Sequence, residues 1–306
     1  MQYGTPCQIP VLFLIHRRLV PTIRVMEALK RARPKVLLVA ADGPQDDLHC
    51  RQVRDHVLNN ITWPCKVQTR FLKERHGCRK AVSSALDWAF GLHEMLIILE
   101  DDCLPNASFF RFCSAMLERF KNTPEVMQVC GSNLTGLRPP KQSYYFSRFG
   151  PIWGWASWRR AWMAYDLEMK AWPGLSRSPQ LNRLCPEPFE ADWRREVLNA
   201  VYRREVDTWD YQWAFAKMRA GGLNVIPAVN LVSNIGFGPE ATHTRSLNDP
   251  RDNLPVHEIP EPLLHAPEIK ARQEDDRAYL SQVVGLPGER FSIPGIRRTL
   301  RSLLTR

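Results

Sequence analysis

Apolar and polar residues alternate along the first half of the chain in a short, regular rhythm. Apolar runs stand at residues 9–15 (IPVLFLI), 35–41 (KVLLVAA), 95–99 (MLIIL) and 126–130 (VMQVC). Runs this short, rich in Val, Ile and Leu, predict strands buried on both faces. Between them the apolar residues recur at helical spacing. Ile23, Met26, Leu29 and Ala32 share one face of a helix predicted over residues 23–33, opened by Pro21 and Thr22 and stopped by Pro34. Further helices are predicted over residues 45–60, 81–91 and 109–120. A strand is predicted over 66–71, where Val67, Thr69 and Phe71 alternate. This strand–helix alternation predicts an α/β fold, a mostly parallel sheet with helices on both faces. Parallel strands end on one edge of their sheet, and ligands bind there. Three of the strands end in polar residues: His16-Arg17-Arg18, Asp42-Gly43 and Glu100-Asp101-Asp102. Their convergence on one edge is the main structural expectation.

Past residue 130 the rhythm fades. Residues 137–148 read as a polar loop. Residues 149–162 (FGPIWGWASWRRAW) hold four of the ten tryptophans. Trp155, Trp158 and Trp162 stand at i, i+3 and i+7, the spacing of a buried helix face. Trp155 follows Gly154 and is the one best placed to line a pocket. Pro173, Pro179, Pro186 and Pro188 predict a mobile loop over 171–190. A late strand is predicted over 223–231, broken by Pro227, and the proline-rich stretch 239–268 is expected to wrap the surface.

The chain has 306 residues, 44% of them hydrophobic and 24% charged, an ordinary balance for a globular protein. Its net charge is +10, from 42 basic and 32 acidic residues. That charge suits nucleic acid, an anionic membrane surface or a phosphate-bearing substrate. The basic residues are spread out except for a cluster at the C-terminus, which argues against a nucleic-acid groove. Eight cysteines form no CxxC pair and no zinc-ligand spacing, so reduced thiols and a cytoplasmic location are expected. The N-terminus lacks a charged segment followed by an apolar one, and no stretch approaches 18 apolar residues.

Candidate chemistry begins at the three acids. They would repel one another and cost several kcal/mol each, on the order given for buried ions, to take out of water. One reading is a divalent metal with a charged ligand on its far side. The other is a solvated acidic turn. Carboxylate oxygens are hard ligands that suit Mg²⁺ or Mn²⁺, and such a metal would stabilise a departing diphosphate. Asp210, between Trp209 and Tyr211, suits a general base or the capping acid of the helix after it. Arg79 and Lys80 precede the helix expected at Ala81, where a phosphate would be favoured; solvated charges are the alternative. Ile15 is followed by HRRLVPT, with no glycine, which counts against the phosphate loop of a nucleotidyltransferase. No second carboxylate set stands out for a two-metal phosphohydrolase. A non-catalytic nucleotide-sugar-binding protein is a further alternative.

The run Glu100-Asp101-Asp102-Cys103-Leu104-Pro105, followed by Phe109-Phe110, resembles the DXD-like metal-binding signature of GT-A glycosyltransferases. The resemblance is closest to the N-acetylglucosaminyltransferase I type and its bacterial relatives. Other matches follow in order: His16-Arg17, Asp42-Gly43, the helix around 81–90, Trp155 and Trp209-Asp210. Together they span roughly residues 9–245. The resemblance implies a GT-A, Rossmann-like fold in one domain over 1–288. Its nucleotide-sugar half would take about 1–135, its acceptor half about 136–250 and a wrapping segment 251–288. It implies a metal-dependent, inverting hexosyl- or N-acetylhexosaminyltransferase that uses a nucleotide-diphosphate sugar, UDP-sugar favoured, and a saccharide or glycolipid acceptor. In that reading Asp102 binds Mn²⁺ or Mg²⁺ and His243 is a candidate further ligand. Asp101 and Glu100 contact the ribose or donor sugar, His16, Arg17 and Asp42 lie at the nucleotide, and Asp210 is the base. The chain departs from the eukaryotic pattern at His16, where that pattern has asparagine. It departs again at Tyr211-Gln212, in place of a second acid and Trp. Residues 289–306 interleave arginines with Ile and Leu, suiting a basic amphipathic tail on the inner face of an anionic membrane, or a helix docked on its own domain.

Overall fold

The computed structural model describes residues 6–44, 46–136, 141–238 and 249–286. The first part of the chain runs β1 (Val11–Ile15), α1 (Leu19–Ala32), β2 (Val36–Ala41), α2 (Leu48–Asn59), β3 (Lys66–Phe71), α3 (Gly77–Leu92) and β4 (Met95–Glu100). Next come β5 (Cys103–Pro105), α4 (Ala107–Arg119), β6 (Val126–Cys130), β7 (Tyr144–Ser147), β8 (Trp155–Trp158) and α5 (Arg159–Trp162). The chain continues with α6 (Trp172–Leu175), α7 (Gln180–Leu184), α8 (Glu190–Tyr202), α9 (Asp210–Ala220), β9 (Leu223–Pro227), β10 (Val232–Asn234) and α10 (Gln273–Tyr279), which ends in a π-turn over Leu280–Val284.

Eight strands form one sheet in the order β3-β2-β1-β4-β8-β6-β9-β7. The first four are parallel, as the alternation predicts. β8 then runs antiparallel between β4 and β6, β6 and β9 are parallel, and β7 closes the edge antiparallel to β9. β5 and β10 make a separate antiparallel pair. That pair has a consequence for the site, because it draws the segment after β10 back over the acidic turn.

Period-two alternation sorts the strand residues into two layers. Val11, Phe13, Leu37, Val39, Ile97 and Leu99 pack on one face against α1, α2 and α4. Leu12, Leu14, Leu38, Ala40, Leu96 and Ile98 pack on the other against α3, α5 and α9. Because both faces are covered, the strands read as continuous apolar runs. A third cluster holds Trp172, Leu181, Trp193, Val197 and Phe215, from α6 to α9.

Two local expectations are corrected. Trp155 and Trp158 lie on a strand, not on a helix face. Their odd separation therefore sends them to opposite layers, Trp155 beside Leu12 and Leu14 and Trp158 beside Phe13. Residues 171–190 are not a loop but carry α6 and α7, whose Trp172 and Leu181 are buried. Pro173 sits in the first turn of α6 and Pro179 is the N-cap of α7, positions where proline starts a helix instead of ending one.

Candidate functional site

The acids at the end of β4 are organised by an arginine. Arg18, the residue before α1, places one guanidinium nitrogen 2.5 Å from Asp101 Oδ1 and 2.9 Å from Asp102 Oδ2. Asp101 also accepts from the His16 backbone N–H at 3.3 Å. Burial alone would lower the Arg18 pKa, but the two aspartates more than reverse this and hold it above its usual value. Glu100 feels the Arg18 charge but makes no ion pair with it. Its Oε1 is buried with no hydrogen-bond partner. Burial, then the charges of Asp102 and Asp101, push its carboxyl well above the usual range. Burial also raises Asp101, against the pull of Arg18. The loop after β10 closes over this group. The Ile235 N–H donates to the Asp102 carbonyl at 2.9 Å, and the Gly236 carbonyl accepts from Arg18 at 3.3 Å. Gly236 lies so close to the Asp102 carboxylate and Arg18 that a Cβ there would collide with both.

Beside the acids a cavity of about 140 Å³ opens at the carboxyl ends of β1, β2 and β4, lined by His16, Arg18, Asp42, Glu100 and Asp101. A cavity of roughly 150 Å³ is enough for one aromatic ring. Ala40, Val82 and Ala85 supply apolar wall, and Arg70 and Arg75 add positive charge. The expected convergence of His16, Asp42 and the acids is therefore observed. Arg17 is not among the lining residues; its side chain is 45% exposed and pairs with Asp47 at 3.2 Å. Nothing in the sequence singles out Arg18 or Arg75, although Arg18 belongs to the same polar strand end as His16 and Arg17. Desolvation lowers the His16 pKa, so its ring favours the neutral form.

The start of α3 differs from expectation. The helix begins at Gly77, ahead of Ala81, so Arg79 and Lys80 lie inside its first turn. Its leading N–H groups are already taken. Asp42 accepts from Gly43 and His76 at 2.8 Å and from Gly77 at 3.0 Å. Asp207 accepts from Cys78 at 2.9 Å and Arg79 at 3.1 Å. Two carboxylates thus fill the place where the sequence favours a phosphate. The Arg79 side chain turns away, donating to the Leu167 carbonyl at 2.8 Å and pairing with Glu168 at 3.0 Å. Gly77 has φ +79, and a Cβ there would approach Asp207 to 2.5 Å, so the cap itself calls for glycine. No sequence pattern links Asp207 to a helix 130 residues earlier, and only the folded chain shows this cap.

Asp210 opens α9 and accepts a hydrogen bond from the Thr208 hydroxyl. It lines a second, larger cavity of about 690 Å³, together with Trp153, Trp193, Tyr211, Trp213 and Lys217. Its charge reaches the first site and contributes to raising Glu100. Trp155 does not line either cavity. It is fully buried, stacked on Trp209 with ring centroids 5.6 Å apart and tilted against Trp213 at 6.0 Å, and forms packing between α9 and the sheet. The reason is its place mid-sheet, paired with Ile98 and Cys130.

Among the described residues, no three His, Cys, Asp or Glu side chains converge to cage a metal ion. The donor set suits a different mode, in which one or two carboxylates hold Mg²⁺ or Mn²⁺ jointly with substrate phosphates. The orphaned Glu100 oxygen fits a site where three carboxylates share the single guanidinium of Arg18, which bonds only Asp101 and Asp102 among them. His243 and the tail 289–306 lie outside the described residues. No helix among the described residues is long and apolar enough to cross a membrane.

No protein-family profile and no curated protein sequence matches the chain. Among solved structures it is similar to the apo form of mouse xyloside xylosyltransferase 1, with 15% identity over 69% of this chain and 81% of that one, at a TM-score of 0.34. It is also similar to UDP-glucose pyrophosphorylase complexed with UDP-glucose, with 11% identity over 53% and 80%, at a TM-score of 0.33. Likeness at this level carries no argument. The fold rests on the strand order and the layers described above.

Proposed function

We propose that the chain is a metal-dependent, inverting glycosyltransferase that moves a sugar from a nucleotide-diphosphate sugar, UDP-sugar favoured, to a hydroxyl of a saccharide or glycolipid. The observation that carries this reading is an acidic turn that borders a ring-sized cavity and feels the charge of Asp210, a residue in the wall of a larger one. The ring-sized one, at the strand ends, suits the nucleobase. The larger one, with Asp210 in its wall, suits the acceptor. The diphosphate and donor sugar then lie between them, at Glu100 to Asp102.

Glycosyl transfer needs two things of the protein: relief of charge on the departing diphosphate, and removal of a proton from the acceptor oxygen. Asp102, with Asp101 beside it, would hold a divalent cation, which when bound offsets the negative charge of the leaving group. Arg18 keeps these two carboxylates together and adds positive charge of its own. The Asp210 carboxylate takes the acceptor proton as the new oxygen–carbon bond forms and the carbon–oxygen bond to diphosphate breaks on the opposite face. The Thr208 hydroxyl orients Asp210 for that step.

Calorimetry with UDP and GDP tests the reading. Nucleoside diphosphate should bind with Mn²⁺ or Mg²⁺, weaken at least tenfold after chelation, and fail to bind Asp102→Asn. Equal binding without metal would transfer the cation's part to Arg18 and end the metal claim. No nucleoside diphosphate binding under either condition would overturn the whole reading. Product analysis separates it from nucleotidyl transfer, since glycosyl transfer releases UDP and nucleotidyl transfer releases pyrophosphate.

A further inference from the structure

The 690 Å³ cavity has an uneven distribution of charge. Arg148, Arg194, Lys217 and Arg251 line it, against Asp210 and Asp249. The acids that balance Arg148 are not among the lining residues. Arg148 Nη1 sits 3.0 Å from both Glu190 oxygens, and Nε sits 2.7 Å from Asp276 Oδ2. Arg148 and Arg194 therefore face the cavity with their acids, Glu190 and Asp276, outside its lining, whereas Arg251 pairs with Asp249 in the wall itself. Hydrogen-bond donors are also left over: Arg148 Nη2 and Trp193 Nε1 are buried without a partner.

Lys217 is the most unusual of these groups. It is 3% exposed. Its Nζ lies 2.6 Å from Gln128 Oε1 and 2.6 Å from Asn224 Oδ1. The two amides cannot flip to suit it. Gln128 Nε2 donates to the Pro151 carbonyl at 2.8 Å, and Asn224 Nδ2 donates to the Ser147 carbonyl at 3.0 Å. Both partners of Lys217 are therefore neutral oxygens, and two of its three N–H bonds are committed. Among the described residues no carboxylate lies within ion-pair distance of it. Burial lowers its pKa to about 7, and the charges around it, Arg194 and Asp210 among them, do not offset the lost water. An anion in the cavity would supply that offset, and would also meet the leftover donors.

We propose that this cavity takes an acidic sugar, one carrying a carboxylate or a phosphate, and that Lys217 and Arg148 receive the anionic group. The aromatic walls at Trp153, Trp193 and Trp213 suit the faces of its ring. Calling this sugar the acceptor rests on the glycosyltransferase reading; the anion site itself does not.

Ligand-observed NMR titration of the full chain tests it, with glucose, glucuronate and glucose 6-phosphate as probes and UDP present to cover the nucleotide cavity. Glucuronate or glucose 6-phosphate should bind at least tenfold tighter than glucose, and the tighter of the two identifies carboxylate or phosphate. Lys217→Met and Arg148→Lys should each bring the acidic sugar at least tenfold closer to glucose. UDP titration of the same variants reports on their folding. If either variant fails to fold, the other and the wild-type preference still decide. The proposal is overturned if the three sugars bind alike, if none binds, or if the preference survives both substitutions. If UDP does not bind while the acidic preference persists, the glycosyltransferase reading falls and the anion site stands.

Discussion

At the acidic turn, the ring-sized cavity draws most of its residues from the strand–helix units of β1 to β4, and each unit contributes where its strand ends. The Asp210 cavity instead collects Arg148, Trp193, Lys217, Arg251 and Gly285 from five separate stretches of chain. The first site follows from sheet geometry, since parallel strands deliver their last residues to one edge. The second exists only once α8, α9 and the segment around α10 have packed together. Position comes easily on the first side. On the second it depends on buried ion pairs such as Arg148 with Glu190 and Asp276. Asp207 joins the two cavities' surroundings, because a residue from just before α9 caps α3, a helix that lines the ring-sized one.

Asp210→Asn probes the division most sharply. Loss of a general base costs about 10²–10⁴ in rate. The variant should therefore lose transfer by that factor, measured as UDP release, yet bind nucleoside diphosphate as wild type does. Full activity would remove Asp210 as the base, and lost nucleotide binding would mean that the two sides are not separable. Trp155→Ala should cost about 3–5 kcal/mol in urea unfolding, the range for emptying a buried aromatic site. Its ring lies between the sheet and α9, so a much smaller loss would show that the two sides do not share this packing. Asp207→Ala should cost about 1–2 kcal/mol, the range for losing a helix cap. Hydrogen exchange should quicken at Cys78 and Arg79; unchanged protection there would deny the link across the turn.

The smallest effect expected concerns pH. Glu100 is raised in the folded state, so its contribution to stability is complete below its unfolded value of about 4.5 and is lost as pH rises through about 8. The metal-free protein should weaken over that window. Glu100→Gln should flatten the slope, by at least the ~1.4 kcal/mol that corresponds to a tenfold change in proton affinity. An unchanged slope would place the titration elsewhere.

How much of this was legible in the sequence differs between the sides. β3 and β6 stand where the pattern predicts them, β4 runs one residue further, to Glu100, and β1 and β2 differ by one or two residues at their starts. His16, Asp42, Glu100 and Asp101 meet as the strand ends imply. Arg18, not Arg17, lines the cavity, because apolar pattern says where a strand ends but not which neighbouring side chain turns back over it. Lys217 carried no signal at all, since a lysine on an otherwise ordinary helix reads as exposed until β6 and β9 bring Gln128 and Asn224 against it.

The sequence by itself determined the order of strands and helices from β1 to β4, the burial of those strands on both faces, and the placing of three acids at a strand end. These follow from local periodicity, which needs only neighbouring residues to be read. Tertiary structure alone decided that Arg18 clamps two of the acids, that carboxylates fill the start of α3, that Trp155 is core, and that a buried lysine faces the larger cavity. Each of these depends on charge and packing between residues far apart in the chain. Such energies depend on the distance between atoms in space, which residue numbering does not record.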